Sequence, residues 1–138
     1  MNKVSILIPV FNEIKTINII LDKVTKAHFC GLEKEIILIY PEAHIWPYYT
    51  HIRNFKDVSF SYPAEMNKPV VPAVTIWRGK ERRKPKQTIV FCKPIYPNPE
   101  LTPYENKKFL HEQCLLEMKE VSDKYPQVEY IKYIRVKD

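Results

Sequence analysis

Glycine is nearly absent from this chain. Only 2 of its 138 residues are Gly, so few positions can take a positive φ and no glycine-rich phosphate loop can form. Cys30, Cys92 and Cys114 make no CxxC pair and are odd in number. They read as free, mostly buried thiols of a reducing compartment. No apolar run reaches the ~20 residues that a bilayer-spanning helix needs, and residues 1–10 lack the apolar stretch and cleavage site of a signal peptide. Any membrane contact is therefore expected to be peripheral. The expected location is cytoplasmic, or peripheral on the inner face of the membrane. Asp22, Asp57, Asp123 and Asp138 are isolated in the sequence, which leaves no adjacent acid pair to hold a divalent cation. Neither a metal nor a cofactor is expected.

What is present points to a packed fold. Hydrophobic residues make up 45% of the chain, enough for a core, and the length suits one compact domain. The net charge of +6 suits an anionic partner such as a membrane surface or a phosphorylated substrate. No nucleic-acid partner is expected, because no reading module or zinc spacing accompanies the charge. The 12 Pro lie mostly between positions 41 and 103, which predicts rigid turns and edge segments there.

The pattern predicts a buried strand over 4–10, an amphipathic helix over 16–27 with Ile17, Ile20, Leu21 and Val24 at helical spacing, and a second strand over 35–40. Strand, helix, strand makes a βαβ unit with parallel strands and a right-handed crossover. Residues 41–63 read as a long, loose loop with one helical turn. Strands are predicted over 69–77 and 87–93, joined by a basic turn. Thr102, Pro103 and Glu105 form the start of a capped helix whose buried face carries Leu110, Cys114, Met118 and Val121, and which ends before Pro126. The expected fold is α/β, a small three-layer-like arrangement of a mostly parallel sheet of about four strands with two main helices.

The opening V-S-I-L-I-P-V-F-N-E, with the helix after it and the stretch from Leu32 to Ile37, resembles the start of the family 2 glycosyltransferases over residues 1–39. The resemblance implies that Pro9, Phe11, Asn12 and Glu13 lie at the pocket for the nucleotide of a sugar donor. The paired acids that hold that family's metal are absent. Asn12 and Glu13 also read simply as a helix cap and a partner for the helix dipole.

From Ile36 the resemblance changes. Ile37 to Glu42 is similar to the "FPEG" block of lysophosphatidic acid-type glycerolipid acyltransferases, and Phe55-Lys56 to their Phe-Lys pair. Lys68 to Val74 is similar to their "PVVPV" strand, and Phe91 to Ile95 to their "FGKPI" strand. These four blocks, in family order, cover residues 36–138. The resemblance implies a transferase scaffold of phospholipid biosynthesis, with an acyl donor and a lysophospholipid as partners. It places Glu42 on the substrate side and makes Arg53 or Lys56 the nearest phosphate contact. The family's general base sits in a His-x4-Asp motif, which none of His28, His44, His51 and His111 completes, and the family's Gly-Thr-Arg after the Glu is replaced by Ala43-His44-Ile45. No catalytic residue is assigned.

The chain thus reads as chimeric, glycosyltransferase-like over 1–39 and acyltransferase-like over 40–138, with the seam at the strand over 35–40. The leading reading is an acyltransferase-like protein that is inactive alone. The alternatives are a non-catalytic nucleotide-sugar binder, or a fusion product with no selected activity. The cations of the 78–86 turn read either as a solvated turn or as a contact for anionic headgroups. Trp46, Tyr48, Tyr49 and Trp77 read either as lipid-interface aromatics or as core.

Overall fold

The computed structural model describes residues 3–9, 22, 26, 33–39, 42, 46–79, 83–134 and 136. Among these residues four strands form: β1 (Lys3–Pro9), β2 (Glu33–Ile39), β3 (Ala73–Arg78) and β4 (Lys86–Phe91). A 3₁₀ turn (Asp57–Phe60) runs directly into a short helix, α1 (Ser61–Glu65), and a long helix, α2 (Pro103–Lys124), follows the strands.

The mostly parallel four-stranded sheet expected from the sequence is not what forms. The described strands make two separate two-stranded sheets. β1 and β2 pair in parallel, in register from Lys3 opposite Glu33 to Pro9 opposite Ile39, as a βαβ unit requires. β3 and β4 pair antiparallel, from Ala73 opposite Phe91 to Arg78 opposite Lys86. The connection between them explains the direction. Residues 79–85 are enough for a hairpin turn, whereas a parallel pair needs a crossover of about a dozen residues or more. Of the predicted helix over 16–27, Asp22 and Lys26 are described; both are helical and form an ion pair at 2.7 Å, four residues apart. The remainder of that segment lies outside the described residues.

Prolines shape the other end of the hairpin. The Cys92 N–H donates to the Pro72 carbonyl at 2.8 Å, and Val70 and Ile95 exchange two bonds of 2.8 Å each. Stepping from the Ala73–Phe91 pair to the Val70–Ile95 pair takes three residues on one strand and four on the other. The extra residue is a bulge, placed where Pro72 and Pro94 supply no N–H for a regular ladder. This is why the two predicted strands, over 69–77 and 87–93, are both shorter than expected.

The core lies between β3 and α2. Val74 and Ile76 point to one face of β3 and are buried, and Ile76 and Leu110 have no exposed surface at all. Residues 106, 110, 114, 118 and 122 of α2 are buried in turn, a one-face stripe of helical period. Phe55, Phe60, Ala64 and Val70 complete the same cluster. Thr102 caps α2 as its sequence predicts: its hydroxyl accepts the Glu105 N–H, and the Glu105 carboxylate accepts the Thr102 N–H at 2.9 Å. Asn106, buried near the helix start, is fully used. Its oxygen accepts the Asn98 N–H at 2.8 Å and its amide donates to the Asn98 and Leu101 carbonyls.

The segment after α2 forms neither strand nor helix over 128–134. It runs along the edge of β3 that β4 does not occupy. The Val128 N–H donates to the Trp77 carbonyl at 2.9 Å, and the Gln127 side-chain oxygen accepts the Trp77 N–H at 3.2 Å. Among the described residues no helix is long and apolar enough to cross a membrane.

If α2 is fixed by this seam and this cap, Thr102→Ala should lower stability by about 1 kcal/mol and Leu110→Ala by about 2–5 kcal/mol. Urea unfolding midpoints measure both. A Leu110→Ala loss no larger than that of Thr102→Ala would contradict the packing of α2 on β3.

Candidate functional site

Glu42 sits in a turn just past β2, and Arg53 lies eleven residues on in the 46–56 loop. The structure brings the two together. One Glu42 carboxylate oxygen accepts the Arg53 backbone N–H at 2.6 Å, and the other faces the Arg53 guanidinium at 3.5 Å. Their side chains are only 10% and 16% exposed, so this is a largely desolvated pair rather than a surface one. Burial pushes the Glu42 carboxyl above its ordinary value. The Arg53 N–H, charge and side-chain hydrogen bond pull the other way without cancelling it.

Aromatic rings gather on one side of Arg53. The Arg53 guanidinium lies over the Trp46 ring, 4.7 Å from its centroid. Trp46 stacks on Tyr133 at 5.0 Å with 24° between the planes. Tyr49 stands edge-on to both rings, at 5.1 Å and 5.4 Å. The Tyr133 hydroxyl donates to the Pro47 carbonyl at 2.9 Å. Next along the loop, Tyr48 takes a φ of 59°, a conformation unusual for a bulky residue. It directs its ring onto Trp77 at 4.9 Å and Tyr130 at 5.8 Å. The loop predicted to be loose is therefore held by an ion pair, two aromatic groups and the 3₁₀ turn.

Of the residues that the acyltransferase resemblance places on the substrate side, Glu42 and Arg53 are in contact and Lys56 is apart. Lys56 precedes the 3₁₀ turn, exposed, and makes no ion pair among the described residues. Of the nucleotide-side residues, Pro9 ends β1 opposite Ile39, and Phe11, Asn12 and Glu13 lie outside the described residues, as do His28 and His44. Tyr133 and Gln127 contribute to the region without having been singled out in the sequence. Three tyrosines between 125 and 133 were the available signal, but no periodicity assigns that segment to an element.

The arrangement offers binding chemistry. A guanidinium presents five N–H donors, and at Arg53 an incoming anion would share them with Glu42. Among the described residues no activated base or nucleophile accompanies it. His111 donates Nε2–H to the Phe55 carbonyl at 2.7 Å and packs edge-on against Phe55 and Phe60, while His51 is exposed beside Tyr49. Cys92 and Cys114 are buried, and burial, with the nearby Glu117 charge, pushes each thiol up to about 12. Among the described residues no group of His, Cys, Asp or Glu converges as a metal site requires.

No family model matches the chain, and searches of curated proteins and of solved structures found no match. Both resemblances therefore rest on the sequence blocks that carry them.

Two outcomes follow from the site. Native Cys92 and Cys114 should resist a disulfide reagent at about pH 8 and react fully in denaturant; fast native labelling of either would contradict its burial. For Glu42, the folded pKa lies above the unfolded one. Its contribution to stability is therefore full below the ordinary value of 4.5 and is lost as pH rises through the folded value. Glu42→Gln keeps an acceptor for the Arg53 N–H without a charge. Thermal melts should show the native chain losing stability relative to this variant as pH rises from 4.5. A difference that is flat or grows the other way would refute dominance of burial over Arg53.

Proposed function

We propose that the chain is a non-catalytic, glycerolipid acyltransferase-like protein that binds a phosphate-bearing lysolipid at the Glu42–Arg53 pair, in peripheral contact with an anionic membrane. One observation carries the reading. Glu42, which the acyltransferase resemblance implies is the substrate-side carboxylate, and Arg53, with Lys56 one of its two candidates for the phosphate contact, are neighbours in a shielded spot beside Trp46. In such a place a guanidinium contact with phosphate is stronger than in water. Trp46 and Tyr49 supply apolar surface for the part of a lysolipid next to its headgroup. The absent His-x4-Asp motif argues for binding without transfer. The nucleotide-sugar reading draws on the parallel β1–β2 pair alone, a scaffold feature that brings no ligand contact with it.

Titration calorimetry of the full chain with lysophosphatidic acid tests the proposal. Binding should weaken by about tenfold or more in Arg53→Ala, since a hydrogen-bonded charge is lost. Arg53→Lys should not restore it, because an ammonium cannot make the bidentate contact. The same preparation should transfer no acyl group from an acyl carrier. Absence of heat with the native chain, or full affinity in Arg53→Ala, would end the binding claim; acyl transfer would end the non-catalytic one.

A further inference from the structure

The turn between β3 and β4 holds the densest charge in the chain. Six of the nine residues from 78 to 86 are Arg or Lys. Arg78, Arg83, Lys84 and Lys86 are described, and all four are exposed. Arg78 and Lys86 are direct cross-strand partners in the last pair of the ladder. Like charges placed opposite one another on a sheet face reduce stability. Arg78 leans over the Tyr125 ring, 5.3 Å from its centroid, which offsets part of its charge. No ion pair among the described residues involves Arg83, Lys84 or Lys86. An anionic partner at the turn would relieve this repulsion.

Beside the turn lies the segment that follows α2. Its Val128 N–H is bonded to Trp77, and the Tyr130 hydroxyl donates to the Arg78 carbonyl at 3.2 Å. The fit is close: Gly79, at a φ of 141°, would bring any Cβ into collision with that same hydroxyl. Yet the residues just beyond this anchor face water. Ile131 is 40% exposed and Ile134 is 76% exposed, with the exposed Lys132 between them. Exposed aliphatic side chains on the segment anchored to this turn, together with its cations, suit the interface of an anionic bilayer: the cations meet headgroups and the aliphatics enter the acyl boundary. A nucleic acid would engage the cations and leave the isoleucines in water.

We infer that Arg78, Arg83, Lys84 and Lys86, with Ile131 and Ile134 of the segment anchored to them, form a docking surface for an anionic lipid bilayer. This rests on the membrane-contact part of the proposed function and names the face that makes the contact. It is independent of whether Arg53 binds a lysolipid.

Co-sedimentation of the full chain with phosphatidylcholine vesicles, with and without phosphatidylserine, tests it. The chain should bind the anionic vesicles in preference, and less as salt rises. Arg83→Ala, Lys84→Ala and Lys86→Ala combined should weaken binding about a hundredfold, at about fivefold per cation. A charge-matched control, Lys93→Ala, Lys108→Ala and Lys119→Ala, should bind as the native chain does. Ile131→Ser with Ile134→Ser should weaken binding while leaving its salt dependence unchanged. Melting curves keep folding in view, and Lys86→Ala should melt no lower than the native chain because it removes the repulsion with Arg78. A native chain that binds neither vesicle overturns both this surface and the membrane part of the proposed function. Native binding that the turn variant retains, or that the control loses equally, overturns this surface alone. Tighter binding to duplex DNA or RNA than to anionic vesicles at equal salt, with no effect of the isoleucine changes, overturns the bilayer as occupant.

Discussion

The burial of one face of β3 against α2 is the constraint on which the described structure depends. Val74 and Ile76 on the strand meet a helix whose buried stripe includes Leu110, Cys114 and Met118. Other segments are positioned by contact with that seam. Phe55 and Phe60 enter the same cluster, and His111 of α2 fixes the Phe55 carbonyl. Lys107 of α2 pairs with Asp57 at 3.2 Å, which holds the 3₁₀ turn to the helix. Helical side-chain spacing thus sets the path of the loop before the strand as well as the position of the helix. A large-to-small change in the seam leaves a cavity in a close-packed region, so its effect should reach the loop that carries Arg53.

A polar junction completes what the apolar seam begins. The Gln127 amide donates to the Thr50 carbonyl at 2.9 Å and to both oxygens of Ser122, while its oxygen accepts the Trp77 N–H. Ser122 donates to the same Thr50 carbonyl at 3.0 Å. One side chain therefore joins the loop, the end of α2 and the free edge of β3. Buried polar groups that are all satisfied specify one arrangement, because each alternative leaves a donor or acceptor unmet. The junction also determines where the tail continues, and so brings Tyr130 against the basic turn and Tyr133 onto Trp46. The lysolipid site and the docking surface proposed here share this support although their charged groups are different.

Local signals in the sequence were legible where a single element decides the outcome. The Thr102 cap, the helix after it and its buried residues Leu110, Cys114 and Met118 follow from spacing and capping chemistry alone, and the structure has them. The parallel direction of β1 and β2 followed from the element order. The sheet as a whole was not legible. Apolar strands of similar appearance suggest one mostly parallel sheet, whereas the short basic connection between β3 and β4 requires a hairpin. The Glu42–Arg53 contact was only half legible, since nothing in periodicity brings an ion pair together across a loop. The aromatic group beside Arg53 needed the tail, and residues 127–134 form no regular element from which a pattern could be read.

The division into two sheets bears on the change of resemblance between residues 36 and 40. A join inside equivalent strands should leave β2 serving both parents, paired with β1 on one side and with the strands of the second parent on the other. Among the described residues β2 pairs with β1 alone, and β3 pairs with β4 alone. The strand at the seam therefore serves the first part of the chain, and Glu42, in the turn after it, is tied to Arg53 within the second. That tie is the ion pair with Arg53 rather than a β-ladder. A ladder bond is insensitive to acidity, whereas the Glu42 contact changes character with the protonation of a buried carboxyl. The start of the second part is thus held by a contact that is electrostatic and pH-sensitive, and it coincides with the proposed lysolipid site. Binding of a phosphate at Arg53 would compete for the same guanidinium that faces Glu42, so ligand binding and the protonation of Glu42 should be linked through one side chain.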